Sequence, residues 1–215
     1  MNPTIQPYEY NYVKNQAETL INTYTSVNDS GTVKTIQALA IGKINELFPE
    51  GQPEVDAFME KMMNIRITRS RMERYLATLK EQVIPFDPPS NPQLTKLFRK
   101  TKKLKIPEWS ELDLRDHTYV GWNDPGTQRK FIITHQGDKL VGVSGVLSPE
   151  IIKGACAICK TISNVSLFLA TTKTASDGTY TKKGNYICHD SDQCNHQLLE
   201  TEELSAFIKN VQAAK

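Results

Sequence analysis

All four cysteines of the chain lie in its last third, as Cys156-Ala-Ile-Cys159 and then Cys188 and Cys194. No other feature restricts the fold so tightly. A two-residue gap is that of a zinc knuckle, which points two thiolates at one tetrahedral ion. The 28 residues between the pairs are enough for a hairpin that returns the chain to the metal. The spacing therefore predicts one Zn²⁺ held by Cys156, Cys159, Cys188 and Cys194. Four protein ligands leave no coordination position for a reactive water, so the expected role is structural.

Other uses of the thiols are weighed against this. Disulfides persist in oxidising compartments, and Met1 to Tyr10 lacks the basic and apolar regions of a secretory signal. The expected location is cytoplasmic. A thioredoxin-like redox pair would follow a strand in a βαβ unit, and no such pattern precedes Cys156. His189 and His196 flank the second pair, and either offers a nitrogen in place of Cys194. Cysteine is preferred, because a histidine beside a ligand is usually only a neighbour.

A hydrophobic content of 39% with 23% charged residues supports a packed core. No stretch approaches the roughly 20 apolar residues of a membrane span. The formal charge of +2 falls to about zero once four thiolates bind Zn²⁺, so the distribution of charge matters more than its sum. Arg99, Lys100, Lys102, Lys103 and Lys105 crowd together, and Lys173, Lys182 and Lys183 form a second patch. Such runs are either solvated faces or surfaces for phosphate- or carboxylate-rich partners.

Apolar residues recur every three or four positions over 8–27, 32–48, 54–63 and 69–83, which predicts four amphipathic helices packed as a bundle. Pro7 suits a first turn and Thr68 a cap. On the second helix Val33, Ile36, Leu39, Ala40, Ile44, Leu47 and Phe48 are read as inward. The methionines and tyrosines of this half sit on the apolar stripes and are read as core. Pro85-Phe86-Asp87-Pro88-Pro89-Ser90-Asn91-Pro92 marks the domain junction, giving a helical bundle over 1–84 and a second domain over 85–215. There a short basic helix is expected over 93–103.

From 117 onward the period switches to two. Strands are expected over 119–122, 129–135 and 140–147, with Phe131 and Ile133 on one face and Ile132 on the other. Strands over 165–171 and 180–187 are joined by a turn at Ser176-Asp177-Gly178. A last helix over 201–212 turns Leu204, Ile208 and Val211 inward. Knuckle, hairpin and helical ligand pair describe a treble-clef-like finger. The fold class is α+β: an N-terminal four-helix bundle plus a C-terminal antiparallel β domain carrying that finger.

Several segments of this sequence together resemble one family. They are Lys153-Gly154-Ala155-Cys156-x-x-Cys159, Ser163 to Phe168, Ser176-Asp177-Gly178-x-Tyr180-x-Lys182-Lys183-Gly184-x-Tyr186-Ile187-Cys188 and Cys194-Asn195. Gly121-Trp122-Asn123 followed by Arg129-Lys130 belongs with them. The resemblance is to the FusB-type fusidic-acid-resistance proteins, which bind elongation factor G. It implies a monomer whose C-terminal domain docks on that factor and promotes its release from drug-stalled ribosomes, with the ribosome an indirect partner. The drug is not a substrate, and no catalysis is implied. By position, Lys183, Tyr186 and Phe207 would meet the factor. One departure is Ala155, where the family pattern has an aromatic; losing that ring removes contact area.

Two other classes compete. An RNA-binding zinc protein acting on the ribosome is suggested by the basic run 99–105 with Trp109 and Trp122 nearby. An enzyme is disfavoured: His117, His135, His189 and His196 sit in no catalytic motif, and Asp190 and Asp192 read as loop-solvating residues.

Overall fold

Residues 3–99, 101, 103–174 and 180–212 are described in the computed structural model, and they form two compact units, Met1–Ile84 and Pro85–Lys215. The expected turn at Ser176-Asp177-Gly178, and Lys100 and Lys102 of the basic run, lie outside the described residues, as does the side chain of Lys173.

In the first unit, α1 (Pro7–Ser26) starts with proline in its first turn and a reciprocal cap in which the Gln6 N–H donates to Glu9 Oε2 at 2.7 Å. Its buried stripe is Tyr10, Val13, Ala17, Leu20 and Ile21; Tyr12 and Tyr24 flank it. Asp29 caps α2 (Ser30–Leu47) by accepting from Thr32 N–H. Only Ala40 and Ile44 of that helix are buried, and Leu39 is 57% exposed. The inward reading of Leu39 is thereby corrected: α2 packs mainly on α1, and one neighbour covers only a narrow stripe. α3 (Pro53–Met62) buries Val55, Phe58 and Met62. α4 (Arg69–Lys80), capped by Thr68, buries Met72, Leu76 and Leu79. It stops short of 83 because Gln82 to Ile84 leave the helix to bridge Ile5, with Ile84 N–H donating to Ile5 O at 2.8 Å.

The proline-rich segment packs rather than hanging as a linker. Phe86 is buried and donates its N–H to Leu114 O. α5 (Asn91–Leu97) ends earlier than expected because Phe98 turns inward, its ring 5.1 Å from Phe131 and edge-on. The basic run therefore follows the helix instead of ending it.

Among the described residues six strands form one antiparallel sheet: β1 (Tyr119–Asp124), β2 (Arg129–Gln136), β3 (Lys139–Leu147), β4 (Ile152–Ala155), β5 (Ile162–Thr174) and β6 (Tyr180–Cys188), in the order β1-β2-β3-β5-β4, with β6 on the other side of β5. Both faces are covered over β1 to β3, while β4 and most of β6 are exposed. Phe131, Ile133 and Val120 pack with Phe86, Leu94 and Phe98 on one. Ile132, Val141, Val143 and Phe168 pack with the cysteines and the last helix on the other. β4 carries no sequence signal of its own; it exists because it pairs with β5 from Ile152↔Val165 to Ala155↔Ile162.

The β5–β6 ladder places Gly184 opposite Leu169, where a Cβ at 184 would run into the main-chain carbonyl of Phe168. Gly184→Ala should therefore cost about 3 kcal/mol through forced separation of the two strands. A urea titration of the full chain measures it; a loss under about 0.5 kcal/mol would mean the strands do not meet this closely.

Candidate metal centre

The knuckle begins where β4 ends. Cys156 N–H donates to Thr161 O at 3.0 Å, and Lys160 N–H closes a turn onto Cys156 O at 3.0 Å. Lys160 takes a left-handed φ of 59° to do so. Cys188 ends β6. Asp190 then caps α6 (Ser191–Gln197) by accepting from Asp192 N–H and Gln193 N–H, which places Cys194 on the second turn facing back to the knuckle.

The four sulfurs lie within 4.8 Å of one another, and all four residues are buried. Cys156 Sγ is 3.8 Å from Cys194 Sγ, and Cys159 Sγ is 3.7 Å from Cys188 Sγ. These are not bonded pairs, since a disulfide needs roughly 2.05 Å. They match the edges of a tetrahedron built on Zn–S bonds of about 2.3 Å, whose sulfurs stand about 3.8 Å apart. The main-chain N–H groups of Ile158 and Cys188 both point at Cys156 Sγ at 3.3 Å. Among the described residues no histidine joins the group. The His189 ring bonds Ser166 Oγ, and His196 bonds Asp192 O.

The electrostatics of the sulfurs alone call for a cation. Hydrogen bonds from Cys159, Cys188 and Cys194 hold Cys156 well below the ordinary thiol range. The resulting arrangement pushes Cys188 and Cys194 far above it, chiefly through Cys156. Cys156 and Cys159 are drawn toward thiolates while Cys188 and Cys194 resist. A divalent cation removes that conflict, because coordination deprotonates thiols outright. Four soft sulfur donors in a closed tetrahedron are the donor set of one structural zinc ion.

Around the sulfurs stand residues whose roles spacing alone did not reveal. Lys130 is 1% exposed, and its Nζ donates to His189 O at 2.9 Å and to Asn123 Oδ1 at 3.0 Å. Burial pulls its ammonium down to about 8, while the negative charges of Cys194, Asp190, Cys188 and Asp192 pull it back up. Zn²⁺ with four thiolates carries two excess negative charges, and Lys130 offsets one beside the segment that joins two of the cysteines. Asn195 is fully buried. Its Oδ1 accepts from Thr118 and Tyr119 N–H, and its Nδ2 donates to Tyr119 O and Ser191 O. That one side chain staples α6 to the start of β1. The fit is close: a Cβ on Gly121 would collide with the Ser191 side chain. Burial and the charge of Cys194 push the Tyr119 phenol well above its usual value, so it stays protonated beside that sulfur. Asp192 does more than solvate a loop, since its Oδ1 sits 3.1 Å from Nε2 of buried His117.

The three residues that the family resemblance assigns to a partner occupy different settings. Lys183 is exposed on β6, and Tyr186, also on β6, is 40% exposed. Strand alternation puts Lys183 and Asn185 on one face and Tyr186 on the other. Tyr186 is also tied to the knuckle, its carbonyl accepting from Ala157 N–H at 2.9 Å. Phe207, on α7 (Glu202–Val211), is 5% exposed, with its ring 5.7 Å from that of Phe168. Its rim lines a shallow groove with Ala155, Asn185 and Ala206. The aromatics beside the basic run are committed to packing. Trp122 stacks on Phe131 at 5.3 Å and donates its indole N–H to Lys105 O, and Trp109 packs on the same cluster.

Comparison with known proteins agrees with this geometry. The family model described as "Elongation factor G-binding protein, N-terminal" matches residues 4–87, and "FBP C-terminal treble-clef zinc-finger" matches residues 94–212. A solved structure entitled "Structure of the fusidic acid resistance protein FusC" is 38% identical, with a TM-score of 0.90 over 97% of this chain and 98% of that one. No curated protein matches.

Two outcomes follow from the centre. Elemental analysis should find one zinc per chain, and stripping it should remove of order 10 kcal/mol of folding free energy from residues 85–215. Circular dichroism should then show strand signal lost and the helical signal of residues 1–84 retained. Lys130→Met should weaken zinc binding about tenfold in competition with a chromophoric chelator, as loss of an outer-shell partner does.

Proposed function

The chain belongs to the elongation factor G-binding protein family, and from that premise we propose that it binds elongation factor G and promotes its release from ribosomes stalled by fusidic acid. FusC, a fusidic acid resistance protein by its title, aligns over nearly the whole chain. The observation that carries the reading is the edge strand β6. Its last residue is one of the clustered cysteines, and its exposed side chains include Lys183 and Tyr186. Cys156, Cys159, Cys188 and Cys194 hold the zinc, and the zinc holds that strand rigid.

A stiff surface can bias a partner between two conformations if it binds one better than the other. Moving the factor from 1:99 to 99:1 in favour of release takes about 5.5 kcal/mol of differential affinity. A handful of anchor residues at an interface carries differences of that size. On this reading Tyr186 is an aromatic anchor and Lys183 pairs with a carboxylate of the factor. Phe207 adds its exposed rim and supports the groove from beneath. The protein works as a cytoplasmic monomer, protects the drug's target and leaves the drug unchanged.

The test uses the full chain, purified elongation factor G and ribosomes stalled with fusidic acid. Added protein should shift the factor from the ribosome pellet to the supernatant. Tyr186→Ala should weaken capture of the factor by about 2 kcal/mol, and Lys183→Ala by less than about 1 kcal/mol. Phe207→Ala would open a core cavity, so Phe207→Leu is the informative change there. Equal affinity for the drug-free and the drug-locked factor would overturn the mechanism.

A further inference from the structure

Four of the chain's seven arginines fall within nine residues, at 66, 69, 71 and 74. All four are exposed, on α4 and the turn before it. Lys61 lies alongside at the end of α3, 4.9 Å over the Tyr75 ring. Residues 60–80 hold six of the nine lysines and arginines of residues 1–84, against two carboxylates, Glu60 and Glu73. The first unit as a whole has slightly more acids than bases. The density is therefore local and not a by-product of composition.

The local placement is unfavourable to the fold. Arg69 and Arg71 stand in the first turn of α4, which has no acidic residue, and positive charge there opposes the helix dipole. No described carboxylate pairs with Arg66, Arg69, Arg71 or Arg74. Arg69 alone has a side-chain partner, donating to Asn22 Oδ1 at 2.9 Å. Glu60, Lys61, Asn64, Ile67, Arg71 and Tyr75 line a depression beside these arginines, with one carboxylate alongside its two cations. Repelling cations kept unpaired on a helix that would be more stable without them fit a surface whose counter-charge arrives from outside.

We propose that the side of α4 carrying Arg71 and Arg74, with Lys61 beside it, docks the phosphate backbone of RNA. Arginine outnumbers lysine four to one among Lys61, Arg66, Arg69, Arg71 and Arg74, and the guanidinium fork matches paired phosphate oxygens. The face is poor in apolar surface, with Ile65 its one large exposed hydrophobic residue. A protein interface would bury an apolar centre depleted of charge, whereas backbone recognition of nucleic acid needs dense positive charge and little else. That the RNA is ribosomal rests on the function proposed above; the phosphate docking does not.

The experiment compares the full chain with Arg71→Gln/Arg74→Gln, using a fluorescent RNA hairpin in anisotropy titrations between about 50 and 300 mM KCl. Removing two phosphate contacts should lower affinity roughly tenfold and reduce the slope of log affinity on log salt by about 2. Capture of elongation factor G should be unchanged, and the melting temperature unchanged or raised. Unaltered hairpin binding by the variant overturns the proposal. So does tighter binding of a polyglutamate peptide than of the hairpin, which would assign the face to an acidic protein. Hairpin binding that survives a failure to capture elongation factor G would sink the function proposed above and leave this inference standing. Factor capture without any hairpin binding would do the reverse.

Discussion

Four sulfur atoms within 4.8 Å of one another cannot all ionise without a cation among them, and the C-terminal unit is arranged around that conflict. The knuckle, the last residue of β6 and the second turn of α6 converge on one point although the outermost cysteines stand 38 positions apart. No apolar core of that size would hold three such short elements in place. A metal–thiolate centre does so because each bond is strong and its direction is set.

The centre is also a charge that the protein must manage. A buried lysine on β2 is costly by itself. Here it is tolerated because its ammonium reaches two oxygens and stands in the field of the thiolates. Asn195 does the corresponding work for the backbone, accepting from two main-chain N–H groups and donating to two carbonyls. The metal site, β1 and β2 thus form one connected block. The edge strand β6 is tied to that block through Cys188 and not by its own pairing alone.

Much of this was legible from residue order. The cysteine spacing, the alternation of Phe131, Ile132 and Ile133 and the helical periods of the first 84 residues all report local geometry, which repeats along the chain and leaves a pattern. The errors share one cause. Leu39 looked inward because periodicity counts apolar residues and not the neighbours available to cover them. The basic helix ends at Leu97, short of its expected span, because the Phe98 ring turns onto Phe131, which nothing before it announces. Trp122, counted beside the basic run in favour of the RNA-binding alternative, lies flat on Phe131 in a packed cluster.

Metal chemistry, element types and family were written in the order of the residues, since ligand spacing and hydrophobic period are short-range properties. The convergence of Lys130 and His189 depended on the folded chain. So did the burial of Phe207 beneath the groove, and the opposite facing of Lys183 and Tyr186 along β6. Each of these is a meeting, or a parting, of side chains set by strand register and helix docking, and such long-range pairing leaves no mark on any single stretch of sequence.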